Sequence, residues 1–486
     1  MHYLDKTILE IHNDLLSNKV TPLELVKESL RRAKEDDNNC FEFISEEEAL
    51  EQVQELNKKD KNNPLWGIPF VIKDNFATKG ILTTASSKLL SDYVPVFSSE
   101  VYLRLINAGA ILIGKTTLDE FAMGGFGITG HKGTTFNPYD KKHERTVGGS
   151  SCGSASAIAA NIVPLAIGSD TGDSVRKPAS YAGLVGIKPT WGRISRHGLF
   201  PFAPSLDHVA YFTRSVEDSA VVLQILVGRD DKDATSSFEK VGNYLDDLNT
   251  NIKGTKIAII KEIFDSIEDK DIKDSFLNNI ELLKQQGAVI NYVSMDIKLC
   301  RAILPTYIII SSSEATSNTA SLDGIQFGQK EDGKNYEEIM INTRTKYFSE
   351  LIKRRLVIGS YSLLSENQHD VFLRAQKCRG LIVKAINGIL ENNDAIYLPA
   401  SPTIAPKFNE ANNNRNSNLF LLAENYLAIA NFAGLPSITV PLGLKDKLPF
   451  GGNVIGKAFK EQKVLNIALA IEQITGLKNL SAKKVS

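Results

Sequence analysis

The run Gly148-Gly149-Ser150-Ser151-Cys152-Gly153-Ser154, followed by Asp170-Thr171-Gly172-Asp173-Ser174, decides how this chain is read. Paired glycines before Ser150 open backbone conformations that larger residues resist, and Gly172 permits close approach of backbone to a ligand. The N–H groups of Thr171, Gly172, Asp173 and Ser174 are placed to converge on a developing oxyanion, usually a large catalytic contribution. Upstream, Lys73 stands in the apolar context Gly67-Ile-Pro-Phe-Val-Ile-Lys73-Asp-Asn75. An exposed lysine stays protonated at neutral pH, whereas one buried beneath Phe70, Val71 and Ile72 drops in pKa and becomes a base. A lysine and two serines in such turns are the parts of a serine hydrolase that works without histidine. Taken singly, each feature also reads as a glycine-rich turn, or as one surface lysine among 56 Lys and Arg residues.

Working outward, apolar strands alternate with helices. Ile68 to Ile72, Ala110 to Ile113 and Val163 to Ile167 read as short buried strands. Lys256 to Ile260 and Val289 to Val293 flank an amphipathic helix near Ile272 to Gln286, and Ala395 to Leu398 and Ser437 to Val440 add strands. Thr21-Pro22-Leu23-Glu24 carries a cap, a first-turn proline and a returning glutamate, so a helix starts there. Ser215 caps a helix through Leu226, and a long helix is expected over Glu366 to Asn392. This order predicts an α/β fold, one large domain with a central mixed sheet covered by helices on both faces. The expected organisation is a single unit over 1–486, with a core about 64–220 and a helical N-terminal segment 1–60. The asparagine-rich stretch Asn409 to Asn418 reads as a loop.

The 486 residues are 42% hydrophobic and 23% charged, enough to bury a sizeable core. A net charge of −1 gives no electrostatic footprint for gripping a polyanion, so any nucleic acid is expected to be held mainly by a partner. Cys40, Cys152, Cys300 and Cys378 are scattered without CxxC spacing, which points to a reduced, cytoplasmic setting. The opening Met1-His-Tyr-Leu-Asp-Lys lacks a basic segment and an apolar run, and no membrane association is expected.

Two decoys are set aside. Gly109-Ala-Ile-Leu-Ile-Gly114-Lys115-Thr116 fits the phosphate-loop pattern letter for letter, but its middle is a buried strand rather than a flexible loop. Cys152 lacks an identifiable histidine base. The seven histidines are dispersed without HxH or HExxH pairing, so no metal is expected.

Three long runs then carry a resemblance: Gly148 to Ser154, Ile167-Gly-Ser-Asp-Thr-Gly-Asp-Ser174-Val-Arg176, and Gly186-Ile-Lys-Pro-Thr190. Together with the 24-residue spacing of Ser150 and Ser174 and the lysine in Ile-Lys-Asp-Asn, they resemble the amidase signature family over almost the whole chain. A narrower similarity is to the A subunits of glutamyl-tRNA(Gln)/aspartyl-tRNA(Asn) amidotransferases. Gly114-Lys-Thr-Thr-Leu-Asp-Glu-Phe-Ala-Met-Gly124, Ser205-Leu-Asp207, Ser313-Glu-Ala-Thr-Ser-Asn318 with Asp323-Gly324, Lys353-Arg-Arg-Leu-Val-Ile-Gly359 and Ala433-Gly-Leu-Pro-Ser-Ile-Thr-Val-Pro441 carry it.

The resemblance implies that Ser174 is the nucleophile, Ser150 a bridging serine held by a cis peptide, and Lys73 the base. It implies the amidase signature fold and hydrolysis of glutamine. Ammonia would then serve conversion of Glu-tRNA(Gln) or Asp-tRNA(Asn) on a partner subunit with ATP and Mg. The implied partners are B-type and C-type subunits of a heterotrimer, with misacylated tRNA held mainly through them. For glutamine it suggests Arg355, or the adjacent Arg354, on the α-carboxylate, Glu424 on the α-ammonium and Tyr307 in the pocket. Arg355 and Glu424 also read as ordinary helix-surface charges. The chain departs from the family at Asp173 and Cys152, where glycines are usual. Two other functions stay open at this point, a stand-alone amidase on small or aryl amides and a catalytically silent scaffold subunit.

Overall fold

Apolar strands and capped helices assemble around one mixed sheet, described here from a computed structural model that covers residues 2–410 and 425–485. The strands are β1 (Phe41–Ile44), β2 (Pro69–Lys73), β3 (Ile111–Thr116), β4 (Leu165–Asp170), β5 (Val185–Lys188) and β6 (His208–Thr213). They continue with β7 (Lys256–Ile260), β8 (Val289–Val293), β9 (Ala395–Pro399), β10 (Ser437–Lys445) and β11 (Leu448–Gly456). Their order across the sheet is β1-β3-β2-β4-β6-β5-β10-β11-β9-β7-β8. The β3-β2-β4 and β9-β7-β8 neighbours are parallel, and the remaining pairs are antiparallel.

Successive side chains of a strand face opposite sides, and β7 shows the result. Ile257 and Ile259 enter one core, while Ala258 and Ile260 enter the other. The first core is closed by helix Lys270–Gln285 through Ile272, Phe276, Ile280 and Leu283. The second is closed by helices Ile297–Asn318 and Arg374–Glu391 through Ile303, Ile310, Ile382 and Ile386. The expected α/β architecture with helices on both faces is therefore the one observed.

Local signals translate directly into local structure. Thr21 Oγ1 accepts from the Glu24 N–H, and Glu24 answers on the Thr21 N–H at 2.7 Å, starting helix Pro22–Lys34. Ser215 caps helix Val216–Leu226. The segment 1–60, expected to be helical, also contributes strand β1 to the sheet edge. The long helix expected over 366–392 begins at Ser365 and carries a π turn at His369–Leu373. Residues 411–418 of the asparagine-rich stretch lie outside the described residues. Among the described residues no helix is long and apolar enough to cross a membrane.

Candidate active site

Lys73 ends β2 with its side chain wholly enclosed. Its Nζ lies 2.7 Å from Ser150 Oγ, 3.0 Å from Ser151 Oγ and 3.0 Å from Ser169 Oγ. Burial brings its pKa down from 10.5 to about 7, partly countered by surrounding acidic groups. The serine hydroxyls are not interchangeable. Ser151 Oγ donates to the Ser169 carbonyl at 3.1 Å, and Asn75 Nδ2 occupies Ser169 Oγ at 3.0 Å. The Ser150 hydroxyl alone of the three has no other bond among the described residues, and the Gly149–Ser150 peptide that positions it is cis.

Asp119 holds the approach to this peptide. Its two oxygens accept from the N–H groups of Phe126, Gly127, Ile128 and Thr129 and from Thr129 Oγ1. A Cβ on Gly149 would sit 2.1 Å from Asp119 Oδ2, so glycine is required for the two to meet.

The second turn leaves β4 at Asp170. Arg176 grips that carboxylate with Nε at 3.0 Å and Nη2 at 2.9 Å, both partners wholly buried. The guanidinium holds the Asp170 carboxyl well below its usual range despite burial, and Asn431 Nδ2 adds a bond at 3.0 Å. Arg176 Nη2 also donates to the Gly172 carbonyl at 2.7 Å. Thr171 Oγ1 donates to Asp207 at 2.6 Å, and Asp207 in turn accepts the Phe202 and Ala203 N–H groups.

With the turn's carbonyls and side chains so committed, the N–H groups of Thr171, Gly172, Asp173 and Ser174 have no acceptor among the described residues. The Ser151 N–H donates to the Ser174 carbonyl at 3.2 Å, so the two Gly-Ser segments run side by side. Ser174 is 4% exposed.

A cavity of about 550 Å³ opens beside this turn, lined by Asp173, Lys177, Tyr307, Arg354, Arg355 and Asn425 among others. Tyr307, on helix Ile297–Asn318, lies so close that a Cβ on Gly172 would be 2.9 Å from its Cζ. The Arg355 guanidinium carbon is 6.0 Å from the Tyr307 ring centre, and Nη1 donates to Ser311 Oγ at 3.4 Å. Arg355 has no acidic partner among the described residues, and burial lowers its pKa. Arg354 lines the same cavity but is exposed. Asp173 Oδ2 is 2.7 Å from Lys177 Nζ, and burial raises its carboxyl against the pull of that ammonium. Glu424 lies outside the described residues.

Lys115 of the phosphate-loop look-alike is in β3, wholly buried, 3.3 Å from Asp74 and donating to the Phe76 carbonyl at 2.7 Å. Cys152 is 1% exposed, and burial pushes its thiol up to about 12. No group of three or more His, Cys, Asp or Glu able to hold a metal occurs among the described residues. Residues that the sequence did not single out include Ser151 and Ser169 around Lys73, the Asp119 clamp and the Thr171–Asp207 bond.

Fold and site together define an amidase-type α/β protein. The chain belongs to the Amidase family, whose model matches residues 24–465. It is 38% identical over 481 residues to the A subunit of glutamyl-tRNA(Gln) amidotransferase from Streptococcus pneumoniae, covering 98% of this chain and 97% of the relative. Identity to the protein of that name from Geobacillus thermodenitrificans is 41%, covering 98% of each. The crystal structure of the corresponding A subunit from Thermotoga maritima superimposes with a TM-score of 0.78 at 34% identity, covering 97% of this chain and 95% of that one.

Proposed function

We propose that this chain is the glutamine-hydrolysing subunit of a glutamyl-tRNA(Gln) amidotransferase, working through Ser174, Ser150 and Lys73. The observation that carries the reading is the 2.7 Å contact between Lys73 Nζ and Ser150 Oγ inside a wholly buried site. A neutral amine has two protons and one lone pair. The protons serve Ser151 and Ser169, which leaves the lone pair for the Ser150 hydroxyl. Ser150 passes its proton to Lys73 and takes one from Ser174, whose oxygen attacks the amide carbon of glutamine. The free N–H groups of Thr171 to Ser174 receive the oxyanion. Collapse returns the proton to the departing ammonia, and water then releases glutamate from Ser174 by the same relay.

Arg355 supports glutamine as the substrate. A half-buried guanidinium without an acidic partner suits an α-carboxylate, and its fork matches the two oxygens. Tyr307 packs between it and the turn. Ammonia would be used on a partner, one of the B-type and C-type subunits, where ATP and Mg²⁺ activate misacylated tRNA. The near-neutral charge and the strand character of residues 111–116 accord with that division of labour.

The test is Ser174→Ala in the complex with whatever partners co-purify. Glutamine-dependent transamidation is lost while ammonium chloride still supports it. Loss of both, or survival of both, overturns the ammonia-supply role. Vigorous turnover of aryl amides by the isolated chain, with none of glutamine, favours a stand-alone amidase instead.

A further inference from the structure

The helix that carries Arg355 needs a group to hold its first turn, because its own cap does not. Ser349 stands at the cap position of Glu350–Leu363, yet its hydroxyl makes no capping bond and is buried without a partner among the described residues. The acceptor comes from elsewhere in the chain. Glu120 Oε2 receives the Ser349 N–H at 3.1 Å, and Glu120 Oε1 receives Ser87 Oγ at 2.5 Å. Glu120 is 2% exposed, and a carboxylate so placed suits the positive end of the helix. Beside it the Phe121 ring meets Phe348 edge-on, with centres 5.9 Å apart.

The segment that supplies Glu120 is itself tightly fixed. Phe121 and Ala122 have φ of 51° and 63°, left-handed values that such side chains rarely adopt and that persist only where the surroundings enforce them. The Phe121 N–H donates to the Ala85 carbonyl at 3.0 Å, the Ala122 N–H to the Asp119 carbonyl at 2.8 Å, and the Glu120 N–H to Thr129 Oγ1 at 3.1 Å. The preceding residue, Asp119, clamps residues 126–129 beside the Gly149–Ser150 peptide. Two consecutive carboxylates thus tie the proton relay and the Arg355 helix to one short turn.

Further along, the same helix is pinned against Ile297–Asn318. A Cβ on Gly359 would be 2.1 Å from the Ser312 carbonyl oxygen, and the Leu356 carbonyl accepts from Thr316 Oγ1 at 3.4 Å. Arg355 lies between the two anchors, about 6 Å along the axis from Gly359 and about 9 Å from Ser349. A tilt of about 10° about Gly359 moves it by about 1 Å, enough to spoil a two-point contact with a carboxylate.

We propose that Glu120 is a positioning residue for glutamine recognition: its carboxylate fixes the start of helix Glu350–Leu363 and so sets the reach of Arg355 toward the α-carboxylate. This rests on the glutaminase reading and adds the group that aims its guanidinium.

The experiment measures ammonia release from L-glutamine and from 4-aminobutanamide, which is glutamine without its α-carboxylate, by the co-purified complex. The chain is wild type, Glu120→Ala, Glu120→Gln, Arg355→Met or the double variant Glu120→Ala/Arg355→Met. In Glu120→Ala the ratio of kcat/KM for glutamine over the second amide falls about 10- to 100-fold, mostly through KM, the range of a hydrogen bond to a charged group. Glu120→Gln keeps an acceptor for the Ser349 N–H and recovers the ratio to within about threefold. With Arg355→Met already present, the alanine change moves the ratio by less than about twofold, because the side chain it positions is gone. Equal losses for both amides in Glu120→Ala make the residue merely structural and overturn the proposal. A glutamine variant no better than alanine does the same, as do effects of Glu120→Ala and Arg355→Met that add in full. An unchanged ratio in Arg355→Met alone refutes the carboxylate contact and the proposal with it. Where Glu120→Ala does not fold, Glu120→Asp, which draws the carboxylate back by one methylene, takes its place. A wild-type complex that releases no ammonia from either amide refutes the glutaminase reading. The binding ratio of L-glutamate over 4-aminobutanoate in the same variants then decides the role of Glu120, as it does where the second amide turns over too slowly to read.

Discussion

Raising the pH from 6 to 8 tests Lys73 as the base. Its pKa of about 7 against 10.5 in an open chain comes mainly from burial. Only the neutral amine takes the Ser150 proton, so kcat/KM for glutamine rises about tenfold over that interval and levels off above it. The same shift appears in stability. Between pH 7 and 10.5 the unfolded chain carries a proton on Lys73 that the folded chain lacks, so folding gains stability as pH rises. The whole shift is worth about 5 kcal/mol, and about 2 to 3 kcal/mol falls between pH 7.5 and 9.5. Below pH 7 both states are protonated and this contribution is flat. The assay is urea unfolding of wild type and Lys73→Met at a series of pH values, the difference isolating the one group. An activity flat from pH 6 to 8, or a stability difference that does not rise above pH 7, refutes the neutral-lysine reasoning.

Two further outcomes follow from the same geometry. Arg176→Met strands the buried Asp170 carboxylate and costs about 3 to 5 kcal/mol of stability; urea unfolding that shows less than about 1 kcal/mol removes the clamp from the account. Cys152 keeps its proton at pH 8, its thiol being pushed up to about 12, so iodoacetamide leaves it unmodified in the native protein, as peptide mapping by mass spectrometry reads directly; rapid labelling with loss of activity contradicts that burial.

The legible parts of the sequence were those fixed by neighbours along the chain. Strands β7 and β8 coincide with the expected Lys256–Ile260 and Val289–Val293, because runs of branched apolar residues bounded by turns have little alternative. Lys73 and Ser150 were readable because a lysine inside an apolar strand and paired glycines before a serine are unusual locally, and the two do meet. Helix Ile297–Asn318 was not readable as an element. Pro305 interrupts its pattern, and the run Ser311-Ser-Ser disguises it as a turn. Strand β11 contains Gly451 and Gly452, which weaken a strand signal. A Cβ at Gly452 would lie 2.5 Å from the Tyr397 hydroxyl, so packing from β9 dictates the glycine. The Thr171–Asp207 bond escaped notice because it joins residues remote in sequence, and the Asp119 clamp because its donors are mostly backbone N–H groups that no side-chain pattern marks. Arg176 was quoted in a motif, but its bonds to Leu427 and Asn431 join residues far apart along the chain.

Arg176 also ties the turn to the far end of the chain, donating to the Leu427 carbonyl at 2.8 Å and to Asn431 at 2.6 Å. On the ribosome, residues 170–176 emerge long before these partners exist. The nascent protein therefore carries the turn held only by its local bonds from Arg176 to Asp170 and Gly172, and the outer anchor is added when residues 427–431 have been made. A product of premature termination ahead of Leu427 would keep Lys73, Ser150 and Ser174 yet lack both of these bonds to the Arg176 guanidinium.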